Sequence, residues 1–341
     1  MKQMMQTPEQ LFREKIHMIP AVKSISLKKG AENRINGTIE MQGKHAIQLI
    51  VLDQGYPKRI ENAIVSHPEK DTSCYRVIVA PYISPSSAEL CKKLGVGYLD
   101  YSGNCMVSFD TIYLSDIGHP NLFPKEDNVK SIFRASSAVT SKILRELLAD
   151  ISVRWRIQNL SIKVGCSIGM VSRVKEYLCD QLWGEMGRDG FMITDAESIL
   201  REWSAVVLSE DIQMVSAYSL DNVSQIEKKC SEVLVENNYK GGLAGFSGGA
   251  RYAPVVRYTK VHMWIAAKNA YDFMEKAGLK EVDSGANVIL FIANNDDVFV
   301  DIREKDGMPV VSPVQVYFDL MRMQGRGEEM AEAILKKEIL K

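Results

Sequence analysis

Asn159–Leu182, NLSIKVGCSIGMVSRVKEYLCDQL, is the stretch on which the fold turns. Leu160 and Val164 are apolar positions four apart, as one face of a helix requires. Gly165 follows where a tight turn needs a positive φ, which glycine adopts without Cβ strain. Ser167 can cap the next helix by accepting a bond from its orphan N–H groups. Val171, Val174 and Leu178 then recur at three- and four-residue steps and form one apolar stripe. Gly169, Ser172 and Arg173 fall on the opposite face. This spacing predicts the second and third helices of a helix-turn-helix, whose polar face turns toward a DNA major groove. Gly169 would let the backbone approach closely, and Arg173 can reach either a phosphate or a guanine edge. An ordinary helical hairpin in a core is the alternative.

The flanks agree with the first reading. Ala138–Asp150, AVTSKILRELLAD, is amphipathic, with Ile143, Leu144, Leu147 and Leu148 inward. Trp183–Thr194, WGEMGRDGFMIT, predicts a β-hairpin around Arg188-Asp189-Gly190, with Phe191 and Ile193 alternating after the turn. Asp195 starts a further helix through Trp203. Three helices, a wing and another helix make a winged helix. Charge is split across it. From Lys130 to Lys175 there are nine Lys/Arg (130, 134, 142, 145, 154, 156, 163, 173, 175) against Glu146 and Asp150, a net +7. From Glu176 to Trp203 there are two basic residues (188, 201) and seven acids (176, 180, 185, 189, 195, 197, 202), a net −5. A basic front with an acidic rear orients a domain on phosphates.

The whole chain has 341 residues, enough for two or three domains, and 46% hydrophobic with 25% charged residues is a globular composition. Its net charge of −1 confines any nucleic-acid affinity to a local patch. No apolar run nears the ~20 residues of a membrane helix, and the polar start, MKQMMQTPEQLFREK, has no signal-peptide core. Six cysteines (74, 91, 105, 166, 179, 230) lie scattered without a CxxC, and five histidines are equally dispersed. These features predict a cytoplasmic protein with reduced thiols, no zinc site, no other metal and no cofactor.

Residues 1–125 predict an α/β domain. Arg34–Met41 and Lys44–Leu52 read as a hairpin, Tyr75–Ala80 as a strand buried on both faces, and Ser84–Leu94 as a helix opened by Pro85. The order suits a restriction-endonuclease-like fold. An active member needs (D/E)xK on the second hairpin strand to hold Mg²⁺ and activate water. That strand reads Gln48-Leu49-Ile50-Val51-Leu52; Asp53 and Lys58 come too late, and Glu40 stands alone. Cleavage is therefore not expected. Asp100, Ser102 and Asn104 cluster around Gly103, as a turn between strands also would.

In residues 205–341, Val206–Ala217 has extended character and Asn222–Asn237 predicts an amphipathic helix. Gly241–Thr259, GGLAGFSGGARYAPVVRYT, reads as a glycine-rich loop that could cradle phosphate but lacks GxxxxGK[ST]. Val261–Ala266, Val288–Ile292 and Asp297–Ile302 are expected strands. Ser312–Met323 and Glu328–Lys341 are expected helices. The layout is similar to a nucleotidyltransferase. Active members follow a glycine–serine loop with a strand bearing two metal-binding acids. Here Gly245-Phe246-Ser247 precedes His262-Met263-Trp264, and Asp301 alone cannot hold two metals. Arg251, Arg257 and Lys260 offer instead a second basic cluster for nucleic acid or an acidic partner.

Taken together, the chain resembles the AbiEi-like antitoxin and transcriptional regulators of type IV toxin–antitoxin systems. The resemblance rests on VAPYISPSSAELCKKLGVGYLDYSGNCMVSF, on VGCSIGMVSRV with the wing and ITDAESILREW, on GFSGGARYAPVVRYT, and on SPVQVYFDLMRMQGRGEEMAEAIL. It implies a winged-helix reader of double-stranded DNA that represses its own promoter and pairs functionally with a nucleotidyltransferase toxin. A homodimer would suit paired half-sites, although no segment reads as a dimerisation helix. The expected architecture is α/β plus α+β multidomain. Residues 1–125 are a non-catalytic nuclease-like domain, 130–204 the winged helix-turn-helix and 205–341 a non-catalytic nucleotidyltransferase-like domain. The expected DNA-contacting residues are Lys163, Ser167, Gly169, Ser172, Arg173, Lys175 and Arg188. The alternatives are a metal-dependent nuclease or nucleotidyltransferase, and a protein-interaction module.

Overall fold

The computed structural model describes residues 6–30, 33–65, 74–123, 132–133, 138–209, 211–323 and 325–341. It is a mixed α/β structure in two compact units. One comprises 1–129 with 180–182, and the other 130–179 with 183–341.

The first unit begins with α1 (Pro8–His17), capped by Thr7, whose side chain accepts from the Gln10 N–H. Then come β1 (Ser24–Lys29), β2 (Arg34–Glu40) and β3 (Lys44–Val51), helix α2 (Pro57–Val65), β4 (Tyr75–Ala80), α3 (Pro85–Lys93), β5 (Gly97–Asp100), β6 (Cys105–Phe109) and β7 (Ile112–Asp116). The seven strands lie in one sheet in chain order. The β3–β4 and β4–β5 pairs, each joined through a helix, are parallel; the others are antiparallel. Side chains alternate across a strand. Leu49, Val77, Val79 and Leu99 therefore face one way and pack with Leu11, Phe12 and Ile16 of α1. Ile50, Ile78, Ala80 and Tyr98 face the other way and pack with Ile60 and Ile64 of α2 and Cys91 of α3. Burial on both faces explains the unbroken apolar runs in β3 and β4.

The second unit starts with α4 (Ala138–Ala149), α5 (Ile157–Val164) and α6 (Ile168–Asp180). A hairpin of β8 (Gly184–Gly187) and β9 (Gly190–Ile193) follows, then α7 (Ala196–Val207) with Asp195 as its cap. The rest is β10 (Met214–Tyr218), α8 (Val223–Glu236), β11 (Gly241–Leu243), α9 (Gly245–Tyr252), β12 (Val261–Ala266), α10 (Ala270–Ala277), β13 (Lys280–Glu281), β14 (Val288–Ala293), β15 (Arg303–Lys305), β16 (Met308–Val310), α11 (Pro313–Arg322) and α12 (Gly327–Ile334). The strand order of this sheet is β13-β10-β14-β12-β11-β16-β15. One continuous core runs from Ile143 and Leu144 to Ile334 and Ile339. The Trp203 ring of α7 meets the Phe318 ring of α11 edge-on at 4.9 Å, so the helical half and the sheet half share that core.

Three expectations change. Gly241–Thr259 is largely not a loop: it supplies β11 and α9. Gly245 makes the corner at φ +47. Gly248 and Gly249 permit close packing, since a Cβ would stand 2.9 Å from the Leu243 carbonyl oxygen or 2.3 Å from Met330 Sδ. Asp297–Ile302 is not a strand. A 3-10 turn covers Asp296–Phe299, and Asp301 at φ +61 breaks the extended path. In Val206–Ala217, α7 runs on to Val207 before β10 begins at Met214.

Candidate nucleic-acid interface

The local chemistry of α5 and α6 follows their sequence. Gly165 closes α5 at φ +73, ψ +44, and its N–H donates to the Ser161 carbonyl at 3.0 Å. Ser167 then turns the chain into α6, its Oγ accepting from the Met170 N–H at 3.3 Å. Val171, Val174 and Leu178 are buried, each by about 1.5–3 kcal/mol of side-chain transfer. At 3.6 residues per turn, Gly169, Arg173 and Glu176 fall on the opposite side, and all three are exposed. Ser172 and Lys175 are half-buried at the flanks of that face. A Cβ on Gly169 would meet nothing nearer than Ser167 Oγ at 3.9 Å. The glycine thus leaves a shallow place at the start of the helix.

The hairpin stands by a third piece of chain. Trp155 bridges Phe191, with its N–H donating to the Phe191 carbonyl at 2.7 Å and its carbonyl accepting from the Phe191 N–H at 2.9 Å. Gly190 has φ +137, and a Cβ there would lie 2.7 Å from the Trp155 carbonyl oxygen. Only glycine fits, which explains Arg188-Asp189-Gly190. Arg188 is exposed at the tip. Arg154 lies along the hairpin, 3.6 Å from Glu185. Arg154 and the exposed Arg156 join this surface, as do the exposed apolar side chains Ile162, Ile168 and Met186 at 79%, 49% and 50%. Sequence reading named none of these five as contacts. The signal for the two arginines was present in the charge count. Apolar exposure has no such signal.

The side chains of Arg173, Lys175 and Arg188 make no hydrogen bond or ion pair with any described residue. Lys163 lies 3.7 Å from Glu146, a loose surface pair. The face thus holds cations whose charge the fold leaves largely unneutralised.

The second basic cluster is arranged differently. Arg251 is a quarter exposed or less, with Nη2 donating to Glu227 at 2.7 Å and Nη1 to Asp306 at 3.1 Å. Glu227 is 1% exposed and also accepts from the Tyr258 hydroxyl at 2.7 Å. Arg251 therefore compensates a buried carboxylate, while Arg257 and Lys260 are exposed. On β12, His262 is buried and neutral: burial pushes its imidazole down to about 4. The His262 backbone N–H donates to Ser247 Oγ at 3.1 Å. Trp264 donates Nε1 to Asp319, which is 2% exposed and also accepts from Gln315 at 2.7 Å and the Gly245 N–H at 3.3 Å. Burial pushes the Asp319 carboxyl up to about 6. Asp301 is held by Arg303 at 2.6 Å. Among the described residues no group of three or more His, Cys, Asp or Glu is placed to hold a metal ion, and no helix is long and apolar enough to cross a membrane.

In the first unit, Gln48 is buried on β3 and donates to Asn36 at 2.9 Å. Glu40 accepts from the Ser24 hydroxyl, and Lys58 pairs with Glu61. Asp100 accepts from the Ile83 and Asn104 N–H groups and from the Asn104 side chain. Asn104 also brackets His119, so this cluster pins one loop against another.

No curated protein and no solved structure matches the chain. A family model does match, from Ile193 at the end of β9 through α7 and the sheet half to Leu340. The helices α4–α6 and the first unit lie outside it. Over residues 193–340 the chain is thus similar to the family described as transcriptional regulator, AbiEi antitoxin, of a type IV toxin–antitoxin system.

Proposed function

We propose that the chain is a sequence-specific DNA-binding transcriptional regulator. It represses its own promoter and acts as the antitoxin to a nucleotidyltransferase toxin. Residues 130–204 form the winged helix-turn-helix. Residues 1–125 are a restriction-endonuclease-like scaffold and 205–341 a nucleotidyltransferase-like domain, both without catalysis. The protein works in the cytoplasm as a homodimer on paired half-sites.

The observation that carries this reading is the exposed face of α6, where Arg173 stands without an internal partner beside the open place at Gly169. Arg173 and Ser172 read base edges or phosphates, and Ser167 and Gly169 let the start of the helix approach the groove. Lys163 and Lys175 neutralise the DNA backbone, and Arg188 enters the adjacent minor groove. The antitoxin part rests on the family description of residues 193–340. A regulatory rather than enzymatic role is supported by the residues at the two catalytic positions: Gln48 on β3, and His262, Met263 and Trp264 on β12.

The test is binding of the full chain to a fluorescent duplex from its own upstream region and to a scrambled duplex, across a salt series. Preference for the native duplex with a steep salt slope supports the reading. Equal, weak binding to both overturns it and assigns the α6 face to a protein partner.

A further inference from the structure

The second unit buries a cation that the DNA-binding reading does not use. Arg145 on α4 is 4% exposed. Its Nη2 donates to Gln315 Oε1 at 2.6 Å and its Nε to Ser141 Oγ at 3.2 Å. The guanidinium lies 5.3 Å from the Trp203 ring centroid and 5.9 Å from that of Phe318. Nη1 has no hydrogen-bond partner among the described residues. No carboxylate there forms an ion pair with it, and Asp297 and Asp319 act on it only through space. A buried charge without a paired counter-charge is costly, and such a group has a reason other than packing to be kept.

A cavity of about 200 Å³ lies beside it. Arg145, Trp203, Trp264, Ile292, Gln315 and Asp297 are among the lining residues, contributed by both the helical and the sheet halves of the unit. We propose that this cavity binds a small apolar monocarboxylate, whose carboxylate pairs with Arg145 and whose body lies against Trp203, Trp264 and Ile292. The planar guanidinium fork matches a carboxylate, and Gln315 and the two rings hold that fork in one orientation. The Trp203, Trp264 and Ile292 side chains take the remainder of the molecule, with Gln213, Asn294 and Asn295 as polar lining beside them. Asp211, Asp297 and Arg322 also line the cavity. Since α4 forms one wall and β14 and α11 another, the ligand clamps the three-helix half to the sheet half. The proposal stands apart from the DNA-binding reading.

Benzoate is the probe, titrated into the full chain and followed by tryptophan fluorescence and by the thermal midpoint. Benzamide is its neutral isostere. Saturable fluorescence change and a rising Tm with benzoate are expected, with at least tenfold weaker binding of benzamide. Arg145→Lys keeps the charge and loses the fork, so benzoate affinity should fall tenfold or more. Should that variant fail to fold, Asp297→Asn serves: removing a nearby negative charge should tighten benzoate a few-fold and leave benzamide unchanged. No saturable response to benzoate in the millimolar range, equal affinity for benzamide, or unchanged benzoate affinity in either folded variant overturns the proposal.

Discussion

Arg173 and Asp319 sit in the same unit and use their charge in opposite ways. Arg173 is exposed on α6, and its side chain takes no part in the internal bonds among the described residues. Asp319 is 2% exposed on α11, where three donors converge on its carboxylate. Water solvates the first at almost no cost, so folding places no demand on it and an external partner is the reason to look for. The second must be bonded to be buried at all. Removing each should therefore damage a different property.

The largest effect belongs to Asp319→Ala. It leaves Trp264 Nε1, Gln315 Nε2 and the Gly245 N–H without their acceptor and removes a carboxylate that offsets Arg145. Losses of this kind cost about 3–5 kcal/mol. Urea unfolding should show the unfolding free energy falling by that amount, as a lower midpoint with an unchanged slope. A loss under about 1 kcal/mol would mean that the network is ornamental.

Acid should sharpen the same contrast inside the buried half. The Asp319 carboxyl stands at about 6, above its ordinary 3.8. Between those values the folded state holds a proton the unfolded state has lost, so Asp319 lowers stability as pH rises through that window. His262 stands at about 4, below its ordinary 6.5. The unfolded state there takes up a proton that the folded state refuses, so His262 lowers stability as pH falls through nearly the same window. Each effect is about 3 kcal/mol, and they oppose each other. Asp319→Asn should therefore lose up to that amount, relative to wild type, on acidification from pH 6.5 to 4. His262→Gln should gain a similar amount. Parallel stability profiles for all three proteins would refute the cancellation.

The same contrast explains what the sequence made legible. Helices α4 to α7 and the hairpin could be read because each is set by local chemistry: Gly165 and Gly190 at positive φ, Ser167 and Asp195 at caps, and apolar residues at helical spacing. In the first unit, double burial left unbroken apolar runs that mark β3 and β4. Gly241–Tyr252 misled because its glycines answer to tertiary packing against Leu243 and Met330, far from any local pattern. Asp297–Ile302 alternates like a strand, yet Asp301 adopts a left-handed backbone that no alternation reveals. The α6 face was visible in the heptad-like spacing, whereas Arg145 counted only as one more positive charge. Its burial depends on Trp203 and Gln315, which are 58 and 170 residues away in sequence.

On the exposed side the effects are smaller and belong to binding. Arg173→Ala should leave the urea midpoint unchanged, because nothing inside the protein holds the side chain. If Arg173 reads a guanine edge, affinity for the native duplex should fall by about 1–3 kcal/mol and base discrimination should relax at one position. If it meets only phosphate, native and scrambled duplexes should weaken together and the salt slope should drop by about 1. Lys163→Ala supplies the reference for that second pattern. Its pair with Glu146 at 3.7 Å is a surface contact worth at most ~1 kcal/mol. Its loss should weaken both duplexes by a similar small factor and leave discrimination intact. Base contact for Arg173 then requires that its profile differ from that of Lys163 in discrimination, not merely in size. Two identical profiles would leave α6 holding the backbone and move sequence reading to another part of this surface, with Arg188 on the hairpin the next residue to replace.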